Sequence, residues 1–174
     1  MCRGYITRGN IHHTEDQIIG TGYQRAYEME SQVSVFKVQA DERGTPFVEV
    51  DNSVVQLIEQ SDDKCVKEMF SRTVKSDGDA TAIYPFHVLG HSFLVDDRFS
   101  AEEELAQVQH IRDSIQWFKE NILKSVDASN ESANRKAQHY IRALDGQLEN
   151  CTKVEKTIKM LTMTLGELNP DLFK

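Results

Sequence analysis

Cysteine is scarce in this chain of 174 residues: there are three, Cys2, Cys65 and Cys151, far apart and with no C-x-x-C pair. An odd, scattered set fits reduced thiols better than a disulfide framework, and a zinc ribbon is excluded. Clusters of lysine or arginine longer than two are also missing, and the net charge is −8. A nucleic-acid partner requires many cations on phosphates, so none is expected, and an anionic membrane surface is disfavoured for the same reason. No run of 18 apolar residues occurs, and the N-terminus lacks the apolar core of a signal peptide. A cytoplasmic location is expected. The H-E-x-x-H pattern of zinc hydrolases is absent as well.

What is present is ordinary globular material. With 39% hydrophobic and 28% charged residues, the chain has enough apolar side chains for one domain with a real core, whereas two full domains would be a squeeze. Two regions differ in character. Residues 1–99 alternate short strand and helix patterns, and residues 100–174 read as helix.

In the first region, period-2 alternation makes Cys2–Arg8 a strand with Cys2, Gly4 and Ile6 on one face. The polar loop Asn10–Asp16 carries His12 and His13, whose adjacent side chains point apart and read as part of a turn. A short strand, Gln17–Ile19, leads to a helix from Thr21 to about Ser34. Thr21-x-x-Gln24 has the form of a capping box. Gly20-Thr21-Gly22 would offer free N–H groups to an anion at the helix N-terminus. Val35–Ala40 reads as a strand, Asp41–Pro46 as a turn and Phe47–Val50 as another strand, with Asn52 capping a helix that carries Val54, Val55, Leu57 and Ile58. A strand from about Met69 to Lys75, a turn at Ser76–Asp79 and a return strand Ala80–Leu89 complete the region, with Pro85 marking an edge or bulge. Were that strand to continue, His87 and His91 would face one side.

From Ser100 the pattern is helical. Ser100-x-x-Glu103 is a second capping box, and Leu105, Val108, Ile111, Ile115, Phe118 and Ile122 form an apolar stripe. After a loop at Asp127–Asn130, a second stripe runs through Ala137, Ile141, Leu144, Leu148, Cys151, Val154, Ile158, Leu161 and Leu165, with Gly166 placed as the C′ glycine. Gly146 within it would mark a kink. The near-heptad spacing fits either an antiparallel hairpin packed on the sheet or a dimerising coiled coil.

The segments RGYITRG (Arg3–Gly9) and GTGYQRAYEME (Gly20–Glu30) together resemble the second half of the class III nucleotide cyclase homology domain. There an R-x-G-I-x-x-G strand precedes a G-x-x-V-N-x-A-x-R-[LM]-E helix. Arg3, Ile6 and Gly9 keep the strand pattern; Gly20, Ala26, Met29 and Glu30 keep the helix pattern. The resemblance covers roughly the first 90 residues. It implies an α+β fold, a partial ferredoxin-like, cyclase-like sheet, here followed by a long C-terminal helical hairpin.

It also implies that the chemistry is lost. Gln24 stands where the family has an asparagine that orients the ribose, and Glu28 where it has an arginine that stabilises the transition state. Lying four apart, the two share one helix face. Phosphoryl transfer depends on cations around the equatorial oxygens. Two charges about 4 Å apart at an effective dielectric of about 20 interact by roughly 4 kcal/mol, so reversing the sign outweighs one hydrogen bond.

The family's two magnesium-binding aspartates precede the strand with which this chain opens. No metal or cofactor is therefore expected. The ligand-binding candidates are Gly20, Thr21, Gly22, Gln24 and Lys37, the last standing where the family's next strand has an arginine. A strand that is central in the complete fold would be left with an open edge, to be covered by the helices, a second copy or another protein. The expectation is a catalytically inactive module that works through protein contacts in bacterial signalling. The alternative is half of a composite nucleotide site completed by a partner chain.

Overall fold

The computed structural model describes residues 3–96 and 98–168. The fold is α+β, and the chain divides into two compact units, Met1–His87 and Val88–Lys174. In the first, β1 (Gly4–Ile6) leads through a two-stranded ribbon, β2 (His12–His13) and β3 (Ile18–Ile19), into α1 (Thr21–Glu30). The chain then forms β4 (Val48–Val50), α2 (Asn52–Glu59), α3 (Lys64–Thr73) and the hairpin β5 (Val74–Asp77) and β6 (Ala80–Ile83). The main sheet has the order β1-β4-β6-β5. β1 and β4 run parallel, with Gly4 opposite Val48 and Ile6 opposite Val50, and α1 is on the connection between them. The remaining pairs are antiparallel. Val33, Val35, Phe47, Val50, Ala82 and Tyr84 form the buried apolar core of this unit.

Several elements differ from their sequence patterns. The first strand is shorter than Cys2–Arg8, and Cys2 lies outside the described residues. α1 ends at Glu30, before Ser34. Val35–Ala40 is not a strand, because Phe36 takes a φ of 55°, which breaks an extended run. Side chains replace the ladder there: the N–H groups of Ser34, Phe36 and Val38 donate to the carboxylates of Glu49, Asp77 and Glu42 at 3.1, 2.7 and 2.8 Å. Asp51 rather than Asn52 caps α2, accepting from the Ser53 N–H at 2.8 Å.

The strand expected from Met69 is largely helix. Asp63 caps α3 by accepting from the Cys65 and Val66 N–H groups, and strand geometry begins only at Val74. β6 stops at Ile83 because Pro85 opens a 3₁₀ turn, Pro85–Leu89, instead of continuing an edge strand.

The second unit is built on two long helices, α4 (Ala101–Ser125) and α5 (Glu131–Leu168). Ser100 caps α4 as its sequence indicated, its hydroxyl accepting from the Glu103 N–H. The helices form an antiparallel hairpin, cross-linked by Arg112–Glu155 and Lys119–Asp145. Ala137, Leu144, Cys151 and Ile158, seven residues apart, are buried, as are Val108 and Ile115 of α4. Phe118, assigned to the α4 stripe, is instead 43% exposed and stacks edge-on with Trp117. α5 passes through Gly146 without ending and continues beyond Gly166, which is therefore not its C′ residue. The side chain of Leu165 lies outside the described residues. No helix among the described residues is long and apolar enough to cross a membrane.

α1 meets the segment that follows β1 through two glycines, Gly9 and Gly22. A Cβ on Gly9 would fall 2.5 Å from the Gly22 nitrogen, and one on Gly22 3.2 Å from the Gly9 backbone. Neither backbone can yield without lifting the helix. Gly9→Ala should therefore destabilise the protein by about 1–3 kcal/mol, the range for overpacked sites, and Gly22→Ala by less. Urea unfolding followed by circular dichroism measures both.

Candidate functional site

The residues singled out by the sequence gather around α1. Gly20 is its N-cap, with a φ of 139° that leaves a Cβ 2.1 Å from the Asn10 carbonyl oxygen, so only glycine fits. No side chain caps the helix: Thr21 is its first residue and lies inside it, and the expected Thr21–Gln24 capping box does not form. Gln24 gives its backbone N–H to the Gly20 carbonyl at 3.0 Å. Gly22 is buried and donates its N–H to the Asn10 carbonyl at 3.3 Å, so one amide of the proposed anion cradle is engaged within the protein.

The helix is oriented by charge on both flanks. On one, Arg25 Nε donates to Asp51 Oδ2 at 2.6 Å. On the other, Glu30 takes two hydrogen bonds from the Arg3 guanidinium, at 2.5 and 3.1 Å. Ala26 and Met29 lie between these flanks and are half-buried. Gln24 and Glu28 share an exposed face. An amide and a carboxylate four residues apart can hydrogen-bond a neutral polar group, but the carboxylate repels a phosphate. No group of three His, Cys, Asp or Glu side chains among the described residues is arranged to hold a metal ion.

Lys37 is placed elsewhere. It is exposed, on the irregular segment after α1, and lines a polar cleft of about 370 Å³ with Gln32, Ser34, Asp41 and Arg43. None of the α1 candidates borders that cleft. His87 and His91 do not share a ligand, because the strand that would align them ends at Ile83. His87 Nε2 is 2.9 Å from the Val74 carbonyl oxygen, and His91 Nε2 is 2.6 Å from Glu104 Oε2. A second cleft, of about 410 Å³, lies between α2, α3 and the β5–β6 hairpin, walled by Val55, Ile58, Phe70 and Val74.

Sequence reasoning missed the group on which α1 depends. Asp51, 3% exposed, accepts from Arg25, from the Tyr5 hydroxyl at 3.0 Å and from the Ser53 N–H. It thus joins β1, α1 and the start of α2. Its signal was an aspartate directly before a helix-start pattern, which was read one residue late. Burial pushes its carboxyl up, yet the hydrogen bonds from Ser53, Arg25 and Tyr5 prevail and hold it well below the usual carboxylate range. Burial, followed by the bond to Asp51, pushes the Tyr5 phenol up to about 12. Comparison with family models, with curated proteins and with solved structures finds no match.

The two shifts act at opposite ends of the pH range. A lowered carboxyl pKa stabilises the fold above the unfolded-state value of about 3.9, and that share fades as pH falls below it. A raised phenol pKa stabilises below about 10, and that share fades as pH rises through 12. Asp51→Ala should cost about 2–4 kcal/mol, from a lost N-cap and a stranded Tyr5 hydroxyl. It should also flatten the acid limb of a stability profile measured by urea unfolding from pH 3 to pH 7. In a spectrophotometric titration, Asp51→Asn should move one tyrosine of the five to lower pH.

Proposed function

We propose that this chain is a catalytically silent relative of the class III nucleotide cyclases, acting through protein contacts in a bacterial signalling system. The observation that carries the proposal is a division among the residues of the cyclase-like motif. Those that match the motif are occupied in holding α1 on the sheet: Arg3 pairs with Glu30, Gly9 meets the Gly22 backbone, and Gly20 supplies a cap conformation closed to other residues. Of the positions that depart from it, the two catalytic ones, Gln24 and Glu28, stand together in solvent, whereas Tyr5, where the strand motif has its first glycine, is half-buried and bonded to Asp51.

Connectivity agrees only in the sequence of elements: a strand, a helix and a parallel strand follow one another, but β1 and β4 are direct neighbours, whereas in a ferredoxin-like split β-α-β unit another strand lies between them. In the family the strand after the helix begins with proline, and here β4 follows Pro46 and Phe47 rather than starting at Val35. Lys37 then loses its counterpart in the motif, which weakens it as a ligand. The alternative, a composite site completed by a partner chain, is favoured by the open face of α1 and requires that partner to supply both cations and metal-binding carboxylates.

Titration calorimetry with ATP and GTP, with manganese present, tests the proposal. The native chain should give no binding heat, and Glu28→Arg should give weak, salt-sensitive heat by exchanging repulsion for attraction at that face. Tight triphosphate binding by the native chain would overturn the silent reading in favour of a retained nucleotide site.

A further inference from the structure

Among the described residues β1 is an edge strand, paired in the sheet with β4 alone. The Gly4 N–H and the Ile6 carbonyl are bonded across to the β4 side, to the Phe47 carbonyl at 3.1 Å and the Asp51 N–H at 2.8 Å. The strand between them alternates, so the Tyr5 N–H and carbonyl point outward, and neither has a hydrogen-bond partner among the described residues. The edge is short, three residues between Arg3 and Arg8, but from Gly4 to Thr7 it carries no proline and no charged side chain. α1 carries an apolar flank beside this strand: Arg25 leans toward Asp51, which follows β4, and Glu30 toward Arg3, which precedes β1, and Tyr23 and Tyr27 are on the Glu30 side of the helix. These two rings stack on each other, and Tyr27 is 74% exposed.

We infer that β1 pairs with β1 of a second copy of this chain, antiparallel about Tyr5, joining two four-stranded sheets into one. This rests on the protein-contact reading above and names the partner.

Self-complementarity selects a second copy over an unrelated strand. Two tyrosines facing each other across a two-fold axis exchange both outward backbone bonds, which uses the one free donor and the one free acceptor that the strand offers. The same register sets Ile6, itself 39% exposed, opposite Gly4 of the second copy, where there is room for it. Both copies of α1 then lie on one face of the joined sheet. Each stands over its own β1–β4 pair, so with strands about 4.8 Å apart the two helix axes are about 10 Å apart, the normal spacing of packed helices. Tyr23 and Tyr27 of each copy fill the space between them.

The charges agree with this arrangement. The strip that meets the axis, Tyr5, Ile6, Tyr23 and Tyr27, is uncharged, and the ions that flank it, Arg3 and Glu30, neutralise each other within each copy.

The test uses the full chain with Cys2 and Cys65 changed to serine. Gly4→Cys is tolerated, because its Cβ would meet only Val48 at ordinary contact distance. A mixture of Gly4→Cys and Ile6→Cys proteins should form an intermolecular disulfide under mild oxidation, since directly opposed residues there have Cα atoms about 4.5 Å apart. Ile6→Cys alone should cross-link at least about tenfold less, its two copies being offset along the strands. Sedimentation of the native chain should show a two-copy mass at high micromolar concentration, and Ile6→Lys, with its helicity checked by circular dichroism, should raise the dissociation constant at least about tenfold. A native chain that stays at one-copy mass overturns the inference. So does a dimer that neither forms the mixed disulfide nor responds to Ile6→Lys. Either result leaves the silent-module proposal standing, because that falls only to nucleotide binding or turnover.

Discussion

A single buried carboxylate governs the geometry of the first unit. Asp51 ends β4, caps α2, accepts the Tyr5 hydroxyl of β1 and anchors Arg25 of α1. A desolvated charge is costly unless it is well bonded, and this one is held by donors from three directions, which fixes their sources relative to one another. On the opposite flank Arg3 and Glu30 complete the seat of α1. Between them the Gly9–Gly22 contact sets how closely the helix approaches the sheet. The direction in which Gln24 and Glu28 point is a consequence of these three restraints.

Carboxylates recur as structural parts elsewhere in the same unit. Glu49, Asp77 and Glu42 take the backbone N–H groups of a segment whose one left-handed residue, Phe36, forbids a strand. Phe36 is kept in that conformation by edge-on contacts with Phe47 and Tyr84, while the Lys75 ammonium stands 4.6 Å from the Tyr84 ring centroid. Three carboxylates of this unit therefore stand in for a missing ladder. The hairpin of α4 and α5 is stabilised by different means, a heptad of small and medium apolar residues flanked by ion pairs.

Legibility in the sequence followed the range of the interactions. The long helices, the Ser100 cap and the class of the fold were readable, because each depends on residues three to seven apart. The segment 35–40 was misread because the positive φ of Phe36 is imposed by partners more than ten residues away, at Phe47, Asp77 and Tyr84. α3 was misread because Met69–Lys75 is apolar enough for a strand, while its helical start is marked only by Asp63. Of the candidate site, the shared face of Gln24 and Glu28 was legible from spacing, whereas the glycines were marked only by the family resemblance and their close contact with the backbone was not read. The pairing of Arg3 with Glu30 and the role of Asp51 were not, since they join residues 26 to 46 positions apart.

We propose that α1 keeps the seat of a cyclase-like helix without the chemistry such a helix presents in that family. The most direct measurement is turnover: purified chain at high micromolar concentration is incubated with manganese and ATP or GTP, and cyclic nucleotide is sought by mass spectrometry. No product above the protein-free blank is predicted. Cyclic nucleotide formed in proportion to the amount of this chain alone would contradict it.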